Sequence, residues 1–178
     1  MTGIEQALQL AVRAHAGQVR KTDNTPYIIH PVMVAHLLTT AGATKEVVMA
    51  ALLHDVLEDT TVTRDEVLTV AGQAVVDIID SVTEDKTLPW EERKAAYVQQ
   101  VVAGGESVWL VSVADKIHNA ESLLDYIATV GDEAWSAFNR GKESKMWFEK
   151  SLHEALGQVW QHPLLDTYGA LITQLEAA

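Results

Sequence analysis

The segment KEVVMAALLHDVLED, residues 45–59, constrains the fold of this chain more than any other part of the sequence. Its apolar side chains occupy almost every direction around a helix, so the helix that they predict is largely buried. We expect this helix to span about 45–57. A helix that is covered on most sides needs other elements packed around it.

Apolar residues recur at helical spacing along nearly all of the chain, and no segment has the alternation typical of a strand. This pattern predicts helices at about 4–15, 31–40, 45–57, 74–83, 89–103 and 107–126, with further helices over 132–176 that break near Gly141 and Pro163. Thr63 and Glu66 have the spacing of a capping box, so a short helix should begin there. The predicted fold is all-α, a compact multi-helix bundle in which residues 1–178 form one domain.

Composition excludes several classes of protein. The formal net charge of −12 argues against a protein that grips nucleic acid or an anionic membrane, although a small anionic substrate can still occupy a locally basic pocket. There are no cysteines, which excludes disulfides, thiolate metal sites and cysteine nucleophiles. The first residues lack the apolar core of a signal peptide, and the longest apolar run, 47–53, is too short to cross a bilayer. We therefore expect a cytoplasmic protein.

Four ionisable residues lie in the last turns of the predicted buried helix: His54, Asp55, Glu58 and Asp59. Helical spacing stacks Glu58 on His54 and Asp59 on Asp55. Three carboxylates at the negative end of a helix dipole repel one another and need a positive partner. A divalent cation with histidine and carboxylate ligands is the natural candidate. The segment by itself is equally consistent with a helix that ends in water.

Two more ionisable residues stand out against apolar neighbours. Asp115 ends the run VWLVSVAD, and His30 in TPYIIHP directly precedes a predicted helix. Each one alone is typical of a structural role, such as a hydrogen-bonded side chain in the core. Together with His54 and Asp55 they make a nitrogen and oxygen ligand set for a single metal, with positions left for water and substrate.

The order of these residues, His30, then His54-Asp55, then Asp115, resembles the HD phosphohydrolase superfamily. Four motifs narrow the resemblance to the hydrolase domain of Rel/SpoT-type alarmone enzymes: RKTDNTPYIIHP at 20–31, HDVLEDT at 54–60, TEDKTLPWEERK at 83–94 and ADKIHN at 114–119. The similar region spans about 5–125. Because the chain is too short to add the synthetase and regulatory domains of the long enzymes, we expect a stand-alone small alarmone hydrolase.

The resemblance implies a role for each motif residue. The implied ligands of one manganese ion per chain are His30, His54, Asp55 and Asp115. The implied catalytic acids, which position a water or move its proton, are Glu58 and Asp59. The implied substrate contacts are Arg20, Lys21, Lys86 and Asn119. The implied reaction releases the 3′-diphosphate of ppGpp or pppGpp as pyrophosphate and leaves GDP or GTP.

Two other functions stay open at this point. An HD nucleotidase acting on another phosphorylated nucleotide would use the same metal ligands, and a nucleotide sensor would bind without turnover. The Glu58-Asp59 pair argues against the sensor, because a pure binder gains nothing from two more carboxylates beside phosphate. The expected partner is a small nucleotide substrate, with no nucleic acid and no membrane. The sequence leaves the oligomeric state open.

Several residues depart from the family pattern or carry weaker signals. Many relatives have arginine at the position of Glu121, which a helical count puts about 120° from the Asp115 face, so we expect a peripheral charge. His118 lies about 60° off that face and is not expected to be a metal ligand. Lys142, Lys145 and Trp147 have helical spacing. We expect their helix to be solvated or packed on the core and not to face a nucleotide.

Overall fold

A computed structural model describes residues 3–20 and 23–178 and folds most of them into helices. In chain order these are α1 (Gly3–Ala14), α2 (Ile29–Thr40), α3 (Lys45–Leu53), α4 (Val56–Asp59), α5 (Arg64–Ala71), α6 (Gln73–Val82), α7 (Trp90–Ala103), α8 (Glu106–Val130), α9 (Gly141–Gly157) and α10 (Pro163–Ala177). A 3₁₀ helix, Gly131–Ala137, joins α8 to α9. Within the described ranges the only extended pairing is an isolated bridge between Val19 and Pro26. The all-α prediction is confirmed.

Helix α3 is the buried centre of the fold. Every residue from Val47 to Leu53 is buried, as its apolar sequence predicts. Helices α1, α2, α6 and α8 pack around it. Because α2 and α8 both contact α3, the residues at the adjoining ends of these three helices come close together.

The prediction of one continuous helix over 45–57 is wrong at its end. Helix α3 stops at Leu53 and α4 starts at Val56, with His54 and Asp55 in a turn between them. The His54 ring nitrogen Nδ1 lies 2.8 Å from the carbonyl oxygen of Ala51, the oxygen that the amide of Asp55 would bond in an uninterrupted helix. The side chain of His54 therefore competes with the helix ladder where the two candidate ligands stand.

Other helix ends follow the local sequence signals. Thr63 and Glu66 form the predicted capping box at the start of α5. Helix α2 begins at Ile29, two residues before the predicted start at Pro31. Helix α8 is longer than the predicted 107–126, because glycines mark its ends: Gly105 has φ 80° and Gly131 has φ 66°, a backbone region that other residues rarely adopt.

The C-terminal helices share the core of the motif-bearing helices. Helix α10 packs along α8, and α9 packs against α7 and α10. Buried side chains such as Leu152 and Tyr168 belong to one continuous apolar cluster with residues of α1 to α8. None of the described helices combines the length and the apolar composition that crossing a bilayer requires.

Candidate metal centre and active site

Four side chains from three parts of the chain converge at the junction of α2, α3 and α8. His30 is in the first turn of α2, His54 and Asp55 form the turn between α3 and α4, and Asp115 is in the middle of α8. The exposed fractions of His30, His54 and Asp115 are 1%, 5% and 8%. These are the four residues that the sequence predicts as metal ligands.

The four side chains face one point. His30 Nε2 lies 3.0 Å from Asp115 Oδ1 and 3.7 Å from Asp55 Oδ2. His54 Nε2 lies 3.1 Å from Asp55 Oδ2 and 3.7 Å from Asp115 Oδ1. Atoms that each lie about 2.0–2.2 Å from one metal ion must also lie close to one another, and the separations in this cluster are of that kind. One atom each from His30, His54 and Asp115 lies within 4.8 Å of the others, with Asp55 alongside.

Both imidazoles present Nε2 to this point. Nδ1 of His54 donates to the carbonyl of Ala51, so in the neutral ring, the form that binds a metal, the lone pair is on Nε2. Among the residues that the structure describes, His54 Nε2 has no hydrogen-bond partner although it is buried, and its 3.1 Å approach to Asp55 is not aligned as a hydrogen bond. A buried nitrogen lone pair between carboxylates fits a divalent cation.

The pKa shifts of the four groups show that the carboxylates are ionised and that positive charge is drawn to the cluster. Burial lowers the pKa of His30, which keeps its imidazole neutral. Burial by itself would raise the pKa of Asp115, but the charge of Lys116 and the bonds from the two histidines hold it well below its usual value. The pKa of Asp55 is likewise lowered, because the His54 charge outweighs burial. Metal ligands must be deprotonated, a condition that the lowered pKa values of His30, Asp55 and Asp115 favour. The pKa of His54 is raised, because the charges of Asp55 and Asp115 outweigh its burial, so a cation bound here would displace the proton of that ring.

Glu58 and Asp59 face different spaces. Glu58 lines a cavity of about 150 Å³ together with His30, His54, Asp55 and Asp115. Its Oε2 accepts a hydrogen bond from the amide of Glu84 at 3.3 Å, and burial raises its pKa. Asp59 lines the wall of a larger, adjoining cavity. The two acids are therefore not equivalent with respect to the metal cluster.

Lys86 is paired with these acids. Its Nζ lies 3.2 Å from Glu58 Oε1 and 2.8 Å from Asp59 Oδ1. Lys86 is not among the described residues that line either cavity. Its predicted contact with substrate stays a prediction, and Lys21, another predicted contact, lies outside the described residues.

The larger cavity has a volume of about 610 Å³ and shares Tyr27, Lys116 and Asn119 with the smaller one. Its cationic lining residues are Arg20, Arg93, Lys94, Lys116, Arg140 and Lys145. Its aromatic lining residues are Tyr27, Trp90, Phe138 and Phe148. The side-chain amide of Asn119 lies between the two cavities. Its oxygen accepts a hydrogen bond from Arg20 at 3.0 Å, and its nitrogen donates one to Asp115 at 2.5 Å. Two predicted substrate contacts, Arg20 and Asn119, are thus brought together.

Sequence reasoning did not anticipate where two residues near the candidate site lie. Lys145 lines the larger cavity, a position that the expectation of a solvated or core-packed helix did not specify. Lys142 and Trp147 do lie elsewhere, in keeping with that expectation: Lys142 bonds the backbone of Glu176, and Trp147 is exposed. The expectation that His118 is not a metal ligand stays a prediction, but its Nδ1 lies 2.8 Å from His30 Nδ1, a contact that orients the ring of a candidate ligand. Only its position beside Asn119 in ADKIHN hinted at this.

Comparison with known proteins places this arrangement in a family. Residues 7–138 match the family model described as HD domain. The chain belongs to the HD-domain family. The one adjacent histidine-aspartate pair in the sequence, His54-Asp55, lies within the matched range. A hydrolase of this family implies a divalent metal, and the His30, His54 and Asp115 group is available for one.

Relatives with assigned activities resemble much of this HD domain. The human protein guanosine-3′,5′-bis(diphosphate) 3′-pyrophosphohydrolase MESH1 is 46% identical over 121 residues, which cover 66% of this chain and 68% of the relative. The bifunctional (p)ppGpp synthase/hydrolase SpoT of Escherichia coli K12 is 34% identical over 126 residues, 67% of this chain but only 18% of the relative. A solved structure described as a metazoan ortholog of SpoT that hydrolyses ppGpp superposes with a TM-score of 0.82 and 27% identity, covering 98% of this chain and 96% of that one.

Proposed function

We propose that this HD domain hydrolyses the 3′-diphosphate of ppGpp and pppGpp, releasing pyrophosphate and leaving GDP or GTP. The observation that carries the proposal is the direct connection between a site for a divalent cation and a large cavity lined with cations, in a chain whose net charge is −12. Such local positive charge against an acidic background suits a small polyanion. The names of the relatives, which are ppGpp hydrolases, point to the same substrate class.

The larger cavity suits the parts of an alarmone. Its volume of about 610 Å³ falls within the usual range for small-molecule sites. Lysine and arginine side chains there would neutralise phosphate charge, and the aromatic rings offer faces to a guanine base. The amide of Asn119, bonded to both Arg20 and Asp115, would hold the substrate in register with the metal cluster.

We further propose that the divalent cation is Mn²⁺ and that His30, His54, Asp55 and Asp115 hold it. A bound divalent cation supplies Lewis-acid activation of water and of a phosphoryl oxygen. Tyr27 donates a hydrogen bond of 2.5 Å to Asp55 Oδ2, which fixes the orientation of that carboxylate. Lys116 donates to the other oxygen of Asp115 at 2.7 Å and orients it in the same way.

The proton chemistry falls to Glu58. Its carboxylate lies in the wall of the smaller cavity, where it can accept the proton of the attacking water. The water oxygen forms a bond to the phosphorus that is attached to the ribose 3′ oxygen. The bond between this phosphorus and the 3′ oxygen breaks, and the 3′ oxygen takes up a proton. Lys86 and the amide of Glu84 hold the Glu58 carboxylate in place, and cavity cations neutralise the pyrophosphate that leaves.

Turnover of a nucleotide panel tests this proposal. The chain, freed of metal by chelation, would be supplied in turn with Mn²⁺, Mg²⁺ and Zn²⁺ and offered ppGpp, pppGpp, GTP and GMP at equal concentrations. We expect fast turnover of ppGpp and pppGpp with Mn²⁺ and little turnover of GTP or GMP. Preferential hydrolysis of GMP would identify a nucleotidase, and tight binding of ppGpp without turnover would identify a sensor.

Replacing Glu121 with arginine should have little effect on this reaction. Glu121 is on the exposed side of α8, and the described walls of both cavities do not include it. An exposed charge is worth at most about 1 kcal/mol, so kcat/KM for ppGpp should change by less than about fivefold. Asn119→Ala, on the cavity side of the same helix, is the comparison and should lower kcat/KM more than about tenfold. A large gain from Glu121→Arg would mean that this residue faces the substrate.

A further inference from the structure

We infer that Glu149 and Tyr168, in the C-terminal helices, are positioning residues that hold the ammonium group of Lys145 in the wall of the larger cavity. Glu149 is 2% exposed in the middle of α9. One helical turn earlier, Lys145 Nζ pairs with Glu149 Oε1. From α10, the Tyr168 hydroxyl bonds Glu149 Oε2, and it lies 3.2 Å from the backbone oxygen of Glu149.

Stability alone gives no reason for a carboxylate at this position. Glu149 follows Phe148 and precedes Leu152 on the buried face of α9, where an apolar side chain would pack without any loss of hydration. Burying a charged group is costly unless it is paired and hydrogen-bonded. The partner of this carboxylate, Lys145, reaches into the cavity. The buried pair therefore serves the cavity wall and not the core.

Lys145 needs a fixed anchor because it has like-charged neighbours. Burial lowers the pKa of Lys94, and the nearby charges of Lys116 and Lys145 lower it further. The other two lysines have their own acids: Lys94 contacts Glu84, and Lys116 contacts Asp115. Without an anchor, repulsion would drive Lys145 toward water. Glu149 supplies the third anchor and keeps three ammonium groups together.

Glu149 and Tyr168 come from a part of the chain outside the family match. Residues 7–138 match the HD-domain family, whereas α9 and α10 begin at Gly141 and Pro163. Helices α9 and α10 thus complete an anion-binding wall whose other lysines belong to the matched region. The inference rests on the proposed function only in taking a phosphorylated anion as the occupant of the larger cavity.

A double-mutant cycle with inorganic pyrophosphate as the probe tests the inference. The dissociation constant of pyrophosphate would be measured by calorimetry for four metal-loaded proteins: the wild-type chain, Glu149→Gln, Lys145→Met and the variant that combines both changes. Glu149→Gln should weaken binding at least about fivefold, although it makes the cavity more positive. In the Lys145→Met background, the same change should weaken binding no further, because the removed carboxylate has no lysine left to hold. Additive effects would contradict the inference.

Two further variants separate positioning from charge and from folding. Tyr168→Phe changes no charge and keeps the ring, so a weakening of about twofold or more would come from the freed carboxylate. Glu176→Gln is the matched control, since Glu176 pairs with Lys150 across the same two helices at an exposed site and should leave binding unchanged. Melting temperatures would be recorded for every variant.

The outcomes distinguish this inference from the proposed function. Tighter binding by Glu149→Gln would show that the carboxylate only repels the anion, and equal weakening in both backgrounds would show a structural role. Either result overturns the inference. A wild-type chain that does not bind pyrophosphate would overturn it as well. Turnover of ppGpp by the wild-type chain is measured separately. Its absence, with the expected cycle intact, would reject the proposed function and leave the positioning role standing.

Discussion

Asp115→Asn is expected to lower kcat/KM for ppGpp about a thousandfold, equivalent to about 4 kcal/mol of transition-state stabilisation. Asp115 Oδ1 lies 3.0 Å and 3.7 Å from Nε2 of His30 and His54, so the change removes a charged proposed ligand from the centre of the cluster. Loss of a group that only supports a metal ligand typically costs 10- to 100-fold in affinity. Loss of the ligand itself should lower the affinity for Mn²⁺ by more than about a hundredfold, which a titration with Mn²⁺ would measure.

The control is Asp125→Asn, which removes the same charge from the exposed side of the same helix. This variant should keep its metal content and its activity. Because Asp115→Asn also removes the partner of Lys116, the melting temperature should be measured with and without Mn²⁺. Mn²⁺ should raise the melting temperature of the control and not that of Asp115→Asn. If Asp115→Asn retained one tightly bound ion per chain, the ligand assignment would be wrong.

Glu58→Gln is expected to lower kcat for ppGpp at least about a hundredfold, or about 2.7 kcal/mol, with little change in KM. Glu58 lines the cavity that contains the metal cluster, and the amide has nearly the same shape as the carboxylate but cannot accept the water proton. Single-turnover measurements would separate the chemical step from binding. A proton-transfer role predicts that the loss appears in that step.

Asp59→Asn provides the internal comparison. The sequence predicts that both acids serve catalysis, but Asp59 lies in the wall of the larger cavity, and its side chain is 41% exposed against 20% for Glu58. We therefore expect a smaller loss, about tenfold, through the release of Lys86. Near-normal rates for both Glu58→Gln and Asp59→Asn would mean that the two acids form only a structural helix end and take no part in catalysis.

The buried helix and the metal cluster are predictable because strong local signals carry them. An apolar segment such as 47–53 can only be buried, and the structure buries all of it. The spacing of Thr63 and Glu66 predicts the hydrogen bonds of a capping box, and the structure contains that capping box. Residues His30, His54, Asp55 and Asp115 stand out because ionisable groups are costly among apolar neighbours unless something pairs them. The structure brings these four together.

Details that depend on contacts between distant segments are not predictable in this way. The bond between His118 and His30 spans 88 positions in sequence, and no periodicity reveals it. The end of α3 depends on whether one histidine side chain bonds a backbone carbonyl. Lys94 and Lys145 belong to different helices with unremarkable charge patterns, and only the fold directs both toward one cavity. Helical counting succeeded for Glu121 because that question concerned a single helix.

The measurement that tests the central claim most directly is a phosphorus NMR time course of ppGpp with the Mn²⁺-loaded chain. Proton-decoupled spectra distinguish pyrophosphate, inorganic phosphate and the remaining nucleotide as they form. The proposed reaction predicts that pyrophosphate and GDP appear together in equal amounts from the first points, and that neither appears after chelation of the metal. Inorganic phosphate as the first product, with a shortened nucleotide that keeps its 3′-phosphate, would contradict the proposed bond cleavage.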